Sequence, residues 1–163
     1  MPPWIMAAET SLTFQFNHPD ETAEFAQRLA SRLDPGDVIL LEGDVGAGKT
    51  HFARSLIQSL LDVPEDVPSP TFTLVQTYEA KGAEIWHADL YRLSSAQEVE
   101  ELGLGEAFQS AICLVEWPDR LGAMTPLDAL TLNFQTGYEE NERIIAARWT
   151  SPRWDTLLHG IAT

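Results

Sequence analysis

The amino-acid sequence predicts an α/β fold in which a mostly parallel sheet is flanked by helices and extended by antiparallel hairpins. Strand and helix patterns alternate over residues 11–61, which favours parallel pairing. The apolar run Val38 to Leu41 is typical of a strand buried on both faces. Later in the chain, two pairs of strand patterns are each joined by a short turn. With 163 residues and 44% apolar content, one domain over 1–163 is expected.

The first strand and helix precede the apolar run. Alternating apolar residues predict a strand over 11–16, and a helix from there to about Leu33 would be capped by Asn17 or Asp20. Residues 1–9 carry no such pattern, and we expect a loose tail there.

Directly after the apolar run, the chain spells the phosphate-loop pattern G-x-x-x-x-G-K-T. Its glycines let the backbone N–H groups approach phosphate oxygens, and the dipole of the following helix favours an anion at the same point. Lys49 is placed to reach the β- and γ-phosphates, and the Thr50 hydroxyl is placed to ligate Mg²⁺. The predicted fold is therefore P-loop NTPase-like, with the nucleotide at the carboxyl edge of the sheet.

The rest of the chain supplies the hairpins and short helices. Three prolines within residues 62–70 predict an irregular loop near the nucleotide edge. The further predicted elements are strands over 71–78 and 83–88, short acidic helices over 95–108 broken at Gly103 and Gly105, strands over 129–135 and 143–149, and a helix over 152–159.

Two carboxylates each end an apolar strand pattern. Asp89 follows the strand over 83–88, and Glu116 follows the run that begins at Ile112. At the end of a strand beside the phosphate loop, a carboxylate holds Mg²⁺ or its waters. A solvated strand end is the alternative for Glu116, and capping of the next turn is the alternative for Asp89. Trp117 could wall the nucleotide pocket or face a partner protein.

Composition restricts the function classes further. The formal net charge of −15 argues against a broad surface for nucleic acid or anionic lipid. Cys113 is the only cysteine, and we interpret it as a buried core residue. The four histidines fit no metal-ligand spacing. No signal peptide or membrane-spanning run is evident, so a cytoplasmic protein is expected.

The bound nucleotide is predicted to be ATP. The Asn-Lys-x-Asp stretch of guanine-reading GTPases is missing, because neither lysine, Lys49 or Lys81, lies in one. An arginine-bearing lid of the kind that kinases use is not evident, and the basic residues near the expected site are Arg92 and Arg120, each of which could equally form a surface ion pair.

Four blocks in this order resemble the TsaE (YjeE) family, and the match spans nearly the whole chain. The blocks are Gly43-Asp44-Val45-Gly46-Ala47-Gly48-Lys49-Thr50, Ser69-Pro70-Thr71-Phe72-Thr73-Leu74-Val75, His87-Ala88-Asp89-Leu90-Tyr91-Arg92 and Leu114-Val115-Glu116-Trp117-Pro118-Asp119-Arg120.

The resemblance implies a bacterial Mg²⁺-dependent ATPase required for threonylcarbamoyl modification of N6 of adenosine 37 in tRNAs that read codons beginning with A. It also implies that TsaD, paired with TsaB, transfers the group, while this protein binds the pair and hydrolyses ATP. A protein of this kind acts through protein contacts and does not need to bind tRNA itself. The net negative charge fits this expectation, because it should repel tRNA.

The resemblance also implies roles for single residues. Lys49, Asp89, Glu116 and the switch-like Thr71 would be the catalytic set, with Thr50 and Glu116 on the Mg²⁺ side. The resemblance also implies that Thr22 lies near the nucleotide base. With the phosphate loop and the wall residue, the predicted nucleotide contacts are Thr22, Asp44, Val45, Gly46, Ala47, Gly48, Lys49, Thr50 and Trp117.

Two other classes of function stay open. A metabolite kinase would pass the γ-phosphate to an organic acceptor without a protein partner. In a non-catalytic switch, nucleotide binding alone would control assembly, so Glu116→Ala would leave function intact while Lys49→Ala abolished it. The acidic residues Glu98, Glu100, Glu101 and Glu106 are either a docking face or a solvated helix face.

Overall fold

The computed structural model describes residues 9–80 and 82–162. Its strands are β1 (Thr10–Phe16), β2 (Val38–Gly43), β3 (Val75–Ala80), β4 (Ala83–Asp89), β5 (Ile112–Glu116), β6 (Leu130–Thr136) and β7 (Arg143–Trp149). Its helices are α1 (Pro19–Ala30), α2 (Lys49–Leu60), α3 (Ala96–Glu101), α4 (Leu104–Ser110) and α5 (Pro152–Ala162), with a 3₁₀ segment at Pro118–Met124. Of the tail expected at residues 1–9, all but Glu9 lies outside the described residues.

The strands form one sheet in the order β1-β7-β6-β2-β5-β4-β3. Strands β4, β5, β2 and β6 pair in parallel, and β2 lies between β5 and β6. Antiparallel pairing adds β3 on one side and β7 with β1 on the other. The predicted α/β class, with parallel pairing around the phosphate-loop strand and antiparallel additions, is confirmed.

Helices cover the sheet on both faces. Helices α1, α2 and α5 pack on one face with Ile39 and Leu41 of β2, while α3, α4 and the 3₁₀ segment pack on the other with Val38 and Leu40. Burial on both faces explains the unbroken apolar run of β2. Among the described residues, no helix has the length and apolar character needed to cross a membrane.

Local differences from the predicted elements have physical reasons. Helix α1 is capped by His18, not by Asn17 or Asp20, because His18 Nδ1 accepts from the N–H of Asp20. Strand β3 starts only at Val75, since Leu74 has a φ of 69° and ends a turn. The acidic helices break at Gly103, whose φ is 83°, whereas Gly105 lies inside α4.

Candidate functional site

The site lies where β2, β4 and β5 end. Because these strands are parallel, their carboxyl ends meet at one edge, and the register places Asp89 beside Glu116 and Glu116 beside Leu41. A cleft of about 500 Å³ opens there. It is lined by Val45, Gly46, Gly48, Lys49, Thr50, His51, Thr71, Asp89, Tyr91, Glu116, Trp117 and Arg143.

The phosphate loop connects β2 to α2 through glycines at positive φ. Gly43 has a φ of 134°, and a Cβ there would lie 2.5 Å from the Phe134 carbonyl oxygen of the neighbouring strand. Gly48 has a φ of 109° and begins α2 without a side-chain cap. The N–H groups of the first helical turn therefore remain available to an anionic ligand.

The Lys49 side chain is almost fully buried within this loop. Its amine donates to the Gly43 carbonyl oxygen and lies 3.7 Å from the ring centroid of Trp117. Burial lowers the pKa of Lys49 below its ordinary value, and the nearby carboxylates of Glu116, Asp89 and Asp44 act in the opposite direction. The Lys49 amine therefore lies inside the cleft, between the phosphate loop and the ring of Trp117.

Glu116 is buried and held at both carboxylate oxygens. The Thr50 hydroxyl donates to its Oε1 at 2.9 Å, and His87 Nε2 lies 2.7 Å from its Oε2. The parallel pairing of β4 with β5 brings His87 into this position. The solvated strand end considered as an alternative for Glu116 is wrong, because only 2% of this residue is exposed.

Asp89 is also buried, and each of its two carboxylate oxygens accepts a hydrogen bond. Its Oδ1 accepts from the N–H of Tyr91 at 3.0 Å, so it does cap the following turn. Its Oδ2 accepts from the Thr71 hydroxyl at 3.3 Å, and Thr71 also bonds Ser69 at 2.8 Å. Asp89 therefore connects the proline-rich loop to the edge of the cleft.

Aromatic rings form one wall of the cleft. Trp117 has a φ of 59°, the left-handed conformation, and its ring centroid lies 4.8 Å from that of Tyr91. The turn after β5 thus directs a large ring over Lys49. Half-exposed Tyr91 was not singled out from the sequence, although it lies in the turn that Asp89 caps.

A basic residue that sequence reasoning missed also lines the cleft. Arg143 begins β7 and lines the cleft near Gly48, with Nη1 donating to the carbonyl oxygens of Glu140 and Glu142, each at 2.9 Å. Arg120, considered from the sequence, pairs instead with Asp119 at 3.1 Å, and Arg92 lies over the ring of exposed Phe72. The predicted β6–β7 hairpin was the signal that could have identified Arg143.

Three sequence-predicted nucleotide contacts do not line the cleft. Thr22 is buried on the core face of α1, and its Oγ1 has no hydrogen-bond partner among the described residues. Asp44 is exposed, and its carbonyl oxygen accepts from Ala47, which is buried. The other predicted site residues all lie in the cleft.

The donor chemistry of the cleft fits Mg²⁺ and a polyphosphate together. Thr50 and Glu116 present a hydroxyl and a carboxylate, the oxygen ligands that Mg²⁺ prefers beside phosphate. In the described part of the chain, no three His, Cys, Asp or Glu side chains are grouped as a metal cluster. Mg²⁺ at this point would neutralise phosphate charge beside two buried carboxylates.

Fold and loop together define a protein of the P-loop type. The family model described as "Threonylcarbamoyl adenosine biosynthesis protein TsaE" matches residues 16–145. The chain belongs to the TsaE family, which is involved in the biosynthesis of threonylcarbamoyladenosine in tRNA.

Relatives and a solved structure agree with this family. The chain is 40% identical to the tRNA threonylcarbamoyladenosine biosynthesis protein TsaE of Rickettsia conorii, over 87% of this chain and 90% of that protein. It is 36% identical to TsaE of Bacillus subtilis, over 78% of this chain and 79% of that protein. The crystal structure of Bacillus subtilis YdiB is similar with a TM-score of 0.79 and 28% identity, over 96% of this chain and 97% of that one.

Proposed function

We propose that this protein binds ATP with Mg²⁺ and hydrolyses it to ADP and phosphate in support of threonylcarbamoyl modification of adenosine 37 in tRNA. The observation that carries the proposal is the Thr50 hydroxyl bonded at 2.9 Å to buried Glu116, next to the phosphate loop. This is the pairing of a loop hydroxyl with a strand-end carboxylate that phosphoryl-transfer sites use.

Each cleft residue has a separate task in this proposal. The loop N–H groups and Lys49 bind the phosphates, with Val45, Gly46 and Gly48 beside them, while Trp117 walls the cleft. Thr50 and Glu116 hold the metal side, and Asp89 with Thr71 orients the attacking water and responds to the γ-phosphate. Thr22, Asp44 and Ala47 are proposed to act through the shape of the nucleotide site, because they do not line the cleft.

The proposal extends to partners and location. The protein acts in the cytoplasm on the TsaB–TsaD pair, which performs the group transfer, and it does not bind free tRNA tightly. Two features support this: membership of the TsaE family and a net charge of −15, which repels polyanions.

The experiment measures threonylcarbamoyladenosine in bulk tRNA by nucleoside mass spectrometry. Cells depleted of this protein receive the native chain, Lys49→Ala, Glu116→Gln or the exposed control Asp119→Asn. We expect rescue by the native chain and by Asp119→Asn only. For the purified Glu116→Gln protein, we expect ATP hydrolysis to fall about 100-fold or more.

Other outcomes would identify the rival functions. Rescue by Glu116→Gln but not by Lys49→Ala would indicate a switch that needs nucleotide binding without hydrolysis. Unchanged modification in depleted cells would contradict the proposed role and favour a search for a kinase acceptor.

A further inference from the structure

His87 makes a buried contact that the proposed reaction does not use. Its Nε2 lies 2.7 Å from Oε2 of Glu116, and the two residues are 0% and 2% exposed. An ionised carboxylate only accepts hydrogen bonds, so the imidazole donates through Nε2–H. The opposite oxygen of Glu116 already accepts from Thr50 at 2.9 Å.

Among the described residues, the His87 ring has one hydrogen-bond partner, the carboxylate of Glu116. Its Nδ1 is buried and has no hydrogen-bond partner among the residues that the structure describes. Burying a polar ring costs free energy unless its polar atoms are hydrogen-bonded. If this position served packing alone, an apolar side chain would avoid the cost of burying the unpaired Nδ1. What an apolar side chain would lack is the donor to Oε2.

The backbone fixes the ring relative to its acceptor. His87 pairs with Leu114 and Asp89 pairs with Glu116 in the parallel β4–β5 register. Glu116 therefore lies on the adjacent strand, two residues beyond the partner of His87 and on the same face of the sheet. His18 and His51, by contrast, contact main-chain atoms or a neighbouring surface acid at exposed positions. His87 instead contacts a carboxylate of the cleft.

We propose that His87 is a positioning residue for Glu116. By holding Oε2, it fixes the rotation of the carboxylate and keeps Oε1 directed at the Thr50 hydroxyl, on the side where Mg²⁺ and phosphate would lie. Outer hydrogen-bond partners of this kind orient ligating groups and affect metal affinity. The inference rests on the proposed function for its effect on metal and hydrolysis, but the hydrogen bond itself can be tested separately.

The first experiment compares His87→Leu, which removes the donor, with His87→Gln, whose amide N–H can replace Nε2–H. Affinity for a fluorescent ADP analogue is titrated with and without Mg²⁺, alongside ATP hydrolysis. We expect His87→Leu to lose about tenfold to a hundredfold in Mg²⁺ affinity and in kcat, with metal-free nucleotide affinity unchanged. We expect His87→Gln to recover most of the loss, and the surface control His159→Gln to match the native chain.

The second experiment uses ¹H–¹⁵N NMR of the imidazole groups in the native chain and in Glu116→Ala. We expect a protected Nε2–H proton for His87 that is lost in Glu116→Ala. This measurement needs no hydrolysis, so it remains decisive if the ATPase proposal fails or if His87→Leu does not fold.

Three results would overturn the inference, and the first two are single measurements. One is a His87→Leu protein with native Mg²⁺ dependence. The other is an imidazole spectrum of His87 that is the same with and without the Glu116 carboxylate. A loss of metal-free and Mg²⁺-dependent binding in equal measure, not rescued by His87→Gln, would assign His87 a structural role only and would also contradict positioning.

Discussion

At the residue scale, Cys113 shows how completely β5 is enclosed. Its side chain is 0% exposed, and its strand neighbours are Val38 of β2 and Trp86 of β4. Burial raises the pKa of the Cys113 thiol to about 12, and the negative charge of Glu84 acts in the same direction. The Cys113 thiol therefore packs in the core as an apolar group and does not serve as a nucleophile.

This burial predicts a specific pH dependence of stability. The folded-state pKa is raised above the ordinary value of 9, so the contribution of Cys113 is fully present below pH 9 and is lost as pH rises towards 12. We expect the stability deficit of Cys113→Ala, measured by urea unfolding, to be constant below pH 8. Above pH 9 it should shrink by about 1.4 kcal/mol per pH unit. A deficit independent of pH, or rapid alkylation of the native thiol at pH 8, would contradict this.

At the element scale, local patterns predicted the central part of the fold. The run Val38 to Leu41, the glycine-rich loop and α2 follow from residues adjacent in sequence, and the two hairpins follow from alternation and turns. The 3₁₀ segment after β5 and the late start of β3 were missed. They depend on the positive φ of Trp117 and of Leu74, which no local pattern indicates.

For the candidate site too, sequence reasoning identified some of the residues and missed others. The sequence predicted that the phosphate loop, Thr71, Asp89, Glu116 and Trp117 belong together. These four residues line one cleft with most of the loop, although their roles stay predictions. His87 and Arg143 were missed because their positions depend on strand order. Parallel β6 ends at the same edge as β2, and antiparallel β7 must start there, which brings Arg143 to the loop.

The β6–β7 hairpin therefore predicts that Arg143 is a nucleotide contact. Its guanidinium is permanently charged and lies beside Gly48, where a phosphate would accept from it. We expect Arg143→Gln to weaken ADP affinity about tenfold or more while leaving adenosine affinity unchanged. Fluorescence titration measures both, and Arg120→Gln, which alters an exposed ion pair, is the matched control. Equal ADP affinity in the native and Arg143→Gln chains would exclude the contact.

At the scale of the whole molecule, charge decides which partners the surface favours. There are 25 acidic residues against 10 lysines and arginines, and of the basic groups Lys49 is buried in the cleft. Several arginines are already engaged, since Arg148 pairs with Glu42 and Arg153 with Asp37. Few positive charges remain for phosphates outside the site, whereas Glu98, Glu100, Glu101 and Glu106 are all exposed. Such a surface favours basic protein faces over nucleic acid.

This balance predicts that free tRNA is not a direct ligand. Nonspecific affinity for nucleic acid comes from neutralised phosphates, with typical dissociation constants of about 1 to 100 µM at physiological salt. We expect anisotropy of labelled tRNA to show no saturation with up to about 100 µM native protein at 150 mM salt. A variant with lysine at positions 98, 100, 101 and 106 should bind measurably, and its affinity should fall as salt rises, because counterion release drives that binding. Saturable binding of the native chain at a few micromolar would show that a local basic surface overrides the net charge, and it would contradict a role exerted only through protein partners.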